Sequence, residues 1–162
     1  MNKFEATLKL LADSNVKFVV IGGYAAMLQG SVILTRDLDI CYERSAENLT
    51  RLASALSSIH PQLRGISGDF PFSLDSRTLA QGMNFTLQTD LVDLDLLGEI
   101  SGVGQFPDVV RDAVQVELYG LTYLVASLDS LIKSKRAANR PKDKNALPEL
   151  EALKEIKSGK SE

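Results

Sequence analysis

The chain has 162 residues, 44% hydrophobic and 24% charged, with 18 Lys and Arg against 21 Asp and Glu for a formal net charge of −3. That length suits one domain with its own core, and the balance argues against a broad nucleic-acid-binding surface while leaving room for a local basic patch. No apolar run approaches the roughly 20 residues needed to span a bilayer, Met1-Asn2-Lys3-Phe4-Glu5 lacks the layout of a signal peptide, and Cys41 stands alone, so a cytoplasmic protein is expected.

Residues 2–14 carry Phe4, Leu8, Leu11 and Ala12 at helical spacing, and Asp13-Ser14-Asn15 ends that helix. Val16–Ile21 reads as a first strand, broken by Gly22-Gly23, with a short helix over Tyr24–Gln29 closed by Gly30. Asp37–Tyr42 is the second strand. Ser45 then caps a helix whose stripe is Leu49, Leu52, Ala53, Leu56 and Ile59, and His60-Pro61 stops it. Residues 61–82 are punctuated by Pro61, Gly65, Gly68, Pro71 and Gly82, with a helical turn expected after Asp75. Asn84–Thr89 and Leu91–Leu97 read as an antiparallel pair, followed by a glycine-marked loop at Gly98, Gly102 and Gly104. Val114–Leu118 and Leu121–Val125 flank Tyr119-Gly120 as a hairpin. Ser127 caps a helix over about 128–139, and Arg140-Pro141 breaks it. Pro148 is expected in the first turn of a last helix with Leu150, Leu153 and Ile156 inward, and residues 157–162 are expected to fray. Strand pairs close in sequence predict a mixed sheet and an α+β fold.

Chemistry concentrates where apolar strands carry acids. In Asp37-Leu38-Asp39-Ile40 the carboxylates alternate with apolar residues, so both project from one face. Neighbouring carboxylates repel unless a cation or a shared proton lies between them. Val92-Asp93-Leu94-Asp95-Leu96-Leu97 repeats the pattern, and adjacent strands would gather three or four carboxylates, the donors that hard divalent cations select. The glycine doublet alone is a strand-ending turn; ahead of a helix it also leaves N–H groups free for an anion. It is neither G-x-G-x-x-G nor a P-loop. Together these features point to phosphate chemistry with a metal.

Gly22-Gly23, Thr35-Arg36-Asp37-Leu38-Asp39-Ile40 and Leu94-Asp95-Leu96-Leu97-Gly98, in that order, resemble the polymerase-beta-like nucleotidyltransferase superfamily. Ser127-Leu128-Asp129-Ser130-Leu131 through Lys135, Arg140-Pro141-Lys142-Asp143 and Leu147-Pro148-Glu149-Leu150 resemble its small bacterial single-domain members of abortive-infection and toxin–antitoxin systems. The resemblance covers about Val16 to Leu153. It implies a nucleotidyltransferase fold with a core at 1–126 and C-terminal helices at 127–162 packed on it as one domain. It also implies transfer of a nucleoside monophosphate from an NTP to an acceptor hydroxyl on a protein, an RNA such as tRNA, or a small molecule.

In those relatives' terms Asp37, Asp39 and Asp95 are catalytic and hold Mg²⁺ or Mn²⁺. Gly22, Gly23, Thr35, Lys135 and Arg140 contact the nucleotide. Asp95 is preferred to Asp93 because Leu-Leu-Gly follows it; strand alternation puts both on one face and does not choose. The alternative is a binding partner with this fold, a toxin or antitoxin component with little or no catalysis. Of the remaining residues, Asp143 is a local cap or ion pair, His60 has no role, Cys41 is a small core residue, and Arg64 and Arg77 are loop charges that could touch a substrate.

Overall fold

A computed structural model describes residues 1–66 and 71–159, so Gly68 and residues 160–162 lie outside the described residues. Helix α1 (Lys3–Asp13) is closed at its start by a capping box, in which Asn2 accepts from the Glu5 N–H and Glu5 bonds back to Asn2. Strand β1 (Phe18–Ile21) is buried throughout, and α2 (Gly22–Leu28) starts directly at the glycine doublet rather than after it. Strand β2 (Asp37–Tyr42) and α3 (Ala46–Ser57, capped by Ser45) follow as expected.

Between 61 and 82 the fold adds a two-residue strand, β3 (Gln62–Leu63), and α4 (Ser76–Gln81), whose cap is Asp75. Strands β4 (Asn84–Gln88) and β5 (Asp93–Leu97) form the expected antiparallel pair. The glycine-marked loop is more ordered than its sequence suggests. It folds as a small hairpin of β6 (Glu99–Ile100) and β7 (Gly104–Gln105), then α5 (Phe106–Val110), whose Asp108 bonds back to the Gln105 N–H. Strands β8 (Val114–Leu118) and β9 (Leu121–Val125) turn through Tyr119 and Gly120, both at positive φ, the geometry of a two-residue I′ hairpin.

The C-terminus differs from expectation. After α6 (Leu128–Ala138), Asn139 takes a left-handed conformation and α7 starts at Pro141, running unbroken to Gly159. Pro141, not Pro148, takes the first turn, where its missing N–H is no loss. Pro148 sits inside the helix, and the carbonyl it leaves unpaired belongs to Lys144, which is exposed to water. Leu150 is buried as expected, but Ile156 is 56% exposed, because the helix outruns the core there. Residues 157–159 are helical rather than frayed.

Seven strands form one mixed sheet in the order β3-β4-β5-β2-β1-β9-β8. β2 runs antiparallel to β1 and parallel to β5, while β9 runs parallel to β1. The core joins β1, β2 and β5 to α1, α3 and α6 through residues such as Leu8, Val19, Ile40, Leu52, Leu94 and Leu131. Asn48 of α3 fastens the β1–β2 end by accepting from Lys17 N at 2.7 Å and donating to the Lys17 and Glu43 carbonyls. Among the described residues no helix is long and apolar enough to cross a membrane.

Candidate active site

The centre of the sheet fixes the acids. In the parallel β2–β5 ladder Asp37 stands opposite Asp93 and Asp39 opposite Asp95. The alternate residues Leu38, Ile40, Leu94 and Leu96 are wholly buried on the other face. The apolar side sets the register, and the register pairs the carboxylates.

Gly22 packs against them. Its φ is +68°, and a Cβ there would collide with the Asp39 carboxylate, so both conformation and space demand glycine. Beside it a Cβ on Gly23 would stand 2.9 Å from Thr35 Cβ, and the Thr35 hydroxyl donates to the Asp37 carbonyl at 3.1 Å. The doublet therefore lets the start of α2 close directly onto the acidic strand.

Two environments divide the four acids. Burial, then the charge of Asp95 and a hydrogen bond shared with it, push the Asp39 carboxyl up to about 7, while Lys135 pulls the other way. Burial and the neighbouring Asp95 thus favour the neutral form of Asp39. At the outer end the Arg64 guanidinium lies 3.8 Å from Asp37, 3.5 Å from Asp93 and 2.9 Å from Asp95. Its Nη2 donates to the Leu87 carbonyl at 2.6 Å, so the approach to Asp95 is a charge contact. Asp39 Oδ1 and Asp95 Oδ1 are buried without a hydrogen bond. The groups that could hold a cation are Asp37, Asp39 and Asp95. Among the described residues no three acids, imidazoles or thiolates already converge as a ligand set.

The opposite wall is cationic. Asp143, wholly buried, takes Arg140 Nε at 2.7 Å, Arg140 N at 3.1 Å and Lys135 Nζ at 3.2 Å. The hydrogen bond from the Arg140 side chain, followed by other contacts to Arg140 and Lys135, holds Asp143 well below the usual carboxylate range. Asp143 is the local partner expected from the sequence, and it holds both cations in the lining of the cleft that the acids share.

Between the walls lies a cleft of about 590 Å³, within the size range of small-molecule sites. All eight residues singled out in the sequence line it: Gly22, Gly23, Thr35, Asp37, Asp39, Asp95, Lys135 and Arg140. Asp93 does not. Its rim is closed by Glu149 of α7, which accepts from the Ser31 hydroxyl at 2.5 Å and from Val32 N at 3.0 Å. Arg64 is the site residue that sequence reasoning left as a loop charge, since a two-residue strand carries no periodicity to announce it. Arg77 follows Asp75 at the start of α4. His60 is exposed and meets Asp90 at 2.5 Å. Cys41 is buried, and burial pushes its thiol up to about 12.

No protein-family model matches the chain, and no curated protein matches it in sequence. Solved structures do. The lincosamide antibiotic adenylyltransferase LnuA, solved with lincomycin bound, superposes with a TM-score of 0.62 at 13% identity, over 93% of this chain and 96% of that one. A Thermotoga maritima protein proposed as a nucleotidyltransferase gives 0.53 at 19% identity, over 99% of this chain and 94% of that one. At these identities the likeness is one of architecture: the chain has the α+β nucleotidyltransferase fold, with a mixed sheet and helices packed on it.

Proposed function

We propose that the chain is a metal-dependent nucleotidyltransferase, moving a nucleoside monophosphate from an NTP to an acceptor hydroxyl. One observation carries the reading: a single cleft with Asp37, Asp39 and Asp95 on one wall and Lys135 and Arg140 on the other. An NTP is polyanionic, so Lys135 and Arg140 can meet its phosphates directly, while the acids can meet them through a divalent cation.

The donor chemistry fits Mg²⁺ or Mn²⁺. The available groups are carboxylate oxygens; Asp39 Oδ1 is buried with no hydrogen bond among the described residues, and Asp95 Oδ1 has only its charge contact with Arg64. A bound divalent cation would neutralise charge on the attacking and leaving oxygens. Asp37 and Asp39 would hold it, and Asp95 would complete the site for the acceptor hydroxyl. The acceptor oxygen forms the new bond to the α-phosphorus as the α–β bridging bond breaks. Pyrophosphate leaves with that electron pair, and the hydroxyl proton passes to Asp95. Lys135 and Arg140, oriented by Asp143, neutralise the departing phosphates. Gly22 and Gly23 allow the phosphate chain to approach the backbone, and Thr35 lies beside them. On this reading residues 127–162 complete the 1–126 core rather than form a separate domain, because they supply both cations.

LnuA, which this chain matches in extent, is an adenylyltransferase solved with an antibiotic, so a small-molecule acceptor is compatible with a chain of this size. A cytoplasmic setting goes with NTP as donor. The test is incubation with each labelled NTP, Mg²⁺ or Mn²⁺, and cell lysate. Label should enter one acceptor class with wild type and not with Asp39→Asn or Asp95→Asn. Equal labelling by all three would overturn the assignment.

Arg64 favours a second reading. A guanidinium engaging three of the four acids also suits a site that no longer turns over, in a toxin or antitoxin component that uses this fold to bind a partner. A Mg²⁺–NTP titration without binding, beside a neighbouring reading frame for a small helical toxin, would favour it.

A further inference from the structure

We propose that Arg64 is the internal counter-ion of the acidic cluster, and that its seat among Asp37, Asp93 and Asp95 overlaps the seat of the divalent cation. Docking of Arg64 and loading of the metal then exclude each other. The inference rests on the metal-dependent reading above and adds how this chain survives without the metal.

Four carboxylates on two adjacent strands would repel strongly if all were ionised. A cation among them relieves that repulsion. Arg64 is such a cation, since its guanidinium stays charged at any working pH and so supplies a permanent positive charge. It reaches Asp37, Asp93 and Asp95 at once, within 3.8, 3.5 and 2.9 Å. Arg64 and Asp95 are each 25% exposed, so water screens that contact less than those to Asp37 and Asp93, at 41% and 45%.

The arginine is delivered by backbone. Arg64 N donates to the Thr86 carbonyl at 3.0 Å, one step beyond the Leu63–Leu87 pair of the β3–β4 ladder. Its Nη2 is tethered to the Leu87 carbonyl. Yet Nε is buried, makes no hydrogen bond among the described residues and stands 3.5 Å from Asp93, while Asp95 Oδ1 meets Nη2 by charge contact alone. The fork is placed by charge and left partly unbonded, as befits a seat that another cation can take. Asp93, which faces Arg64 but not the cleft, is thereby a positioning residue for the arginine.

The test is calorimetric titration of Mg²⁺ and of Mn²⁺ into metal-stripped wild type and Arg64→Gln, with thermal unfolding in chelator and in saturating Mg²⁺. The variant should bind the cation about tenfold more tightly or better. It should also melt below wild type in chelator, with that deficit shrinking once Mg²⁺ is added. Affinities within about twofold of each other, or a deficit that Mg²⁺ leaves unchanged, would overturn the proposal and leave Arg64 a structural tie to Leu87. Absence of any cation binding to either protein would overturn the metal reading and this inference with it. Should the variant not fold, the Arg64 Nε–Hε resonance of wild type decides. Mg²⁺ should shift it, and a resonance unmoved at saturation would sink the idea.

Discussion

Asp39 faces Asp95 across the β2–β5 ladder, and each keeps one buried carboxylate oxygen without a hydrogen bond. Because the folded protein raises the Asp39 carboxyl from 3.8 to about 7, it binds a proton that the unfolded chain releases. Metal-free stability from this pair is therefore full below about pH 4 and is lost as pH rises toward about 7. Asp39→Asn needs no such proton. In chelator at pH 8 it should melt roughly 5 °C above wild type, and the difference should vanish near pH 4. Thermal unfolding across that range checks both halves of the expectation.

The four acids should not be equivalent in catalysis. Asp39→Asn and Asp95→Asn should each lower transfer by at least about a hundredfold and abolish Mg²⁺-dependent NTP binding. Asp93→Asn should retain transfer, since Asp93 lies outside the cleft. A dead Asp93→Asn beside an active Asp95→Asn would reverse the assignment of the third carboxylate.

Gly22→Ala combines a strained φ with a collision against Asp39. We expect a loss of about 2 kcal/mol or more in denaturant unfolding. Transfer should fall further than stability explains, because the displaced group is Asp39 itself. Gly65→Ala, at a positive φ with no described residue within 4 Å of the added Cβ, should cost only the backbone strain and leave transfer intact.

Asp143→Asn should act at a distance from the acids. Its carboxyl is depressed in the folded state, so its contribution is present above about pH 4 and disappears as pH falls through the acid range. The variant should lose about 2 kcal/mol at neutral pH, allowing for the exposure of Arg140. The KM for NTP should rise more than kcat falls, since Lys135 and Arg140 lose their aim. Calorimetry of NTP binding separates this from simple unfolding.

Cys41 should be inert to thiol reagents in the native protein at pH 8 and react only on unfolding, because burial holds its thiol near 12. Native-state labelling at the rate of a free thiol would show that β2 opens readily.

The sequence made the inner sheet legible because one pattern reports two facts. Alternation in Asp37–Tyr42 and in Asp93–Leu97 marks the buried face and the acidic face together. Ser45, Asp75 and Ser127 announced their helices through capping chemistry that acts within three residues. What stayed hidden depended on distant partners. Arg64 acquires meaning only when β3 pairs with β4, and the ordered loop after Gly98 only when α5 packs on β1 and β2. Pro148 falls inside α7 because the helix already starts at Pro141, and both Pro148 and Lys144, the residue four positions before it, are exposed.

The parallel register of β2 and β5 also bears on how the protein is born. Hairpins such as β8–β9 close locally, but Asp39 meets Asp95 only when chain distant in sequence returns to the sheet, a slow and entropically costly step. A chain ending short of β5 would expose Asp37 and Asp39 on a strand paired with β1 alone. Phosphate chemistry would thus be among the last properties the nascent chain acquires, arriving with the closure of the sheet rather than with the motif that encodes it.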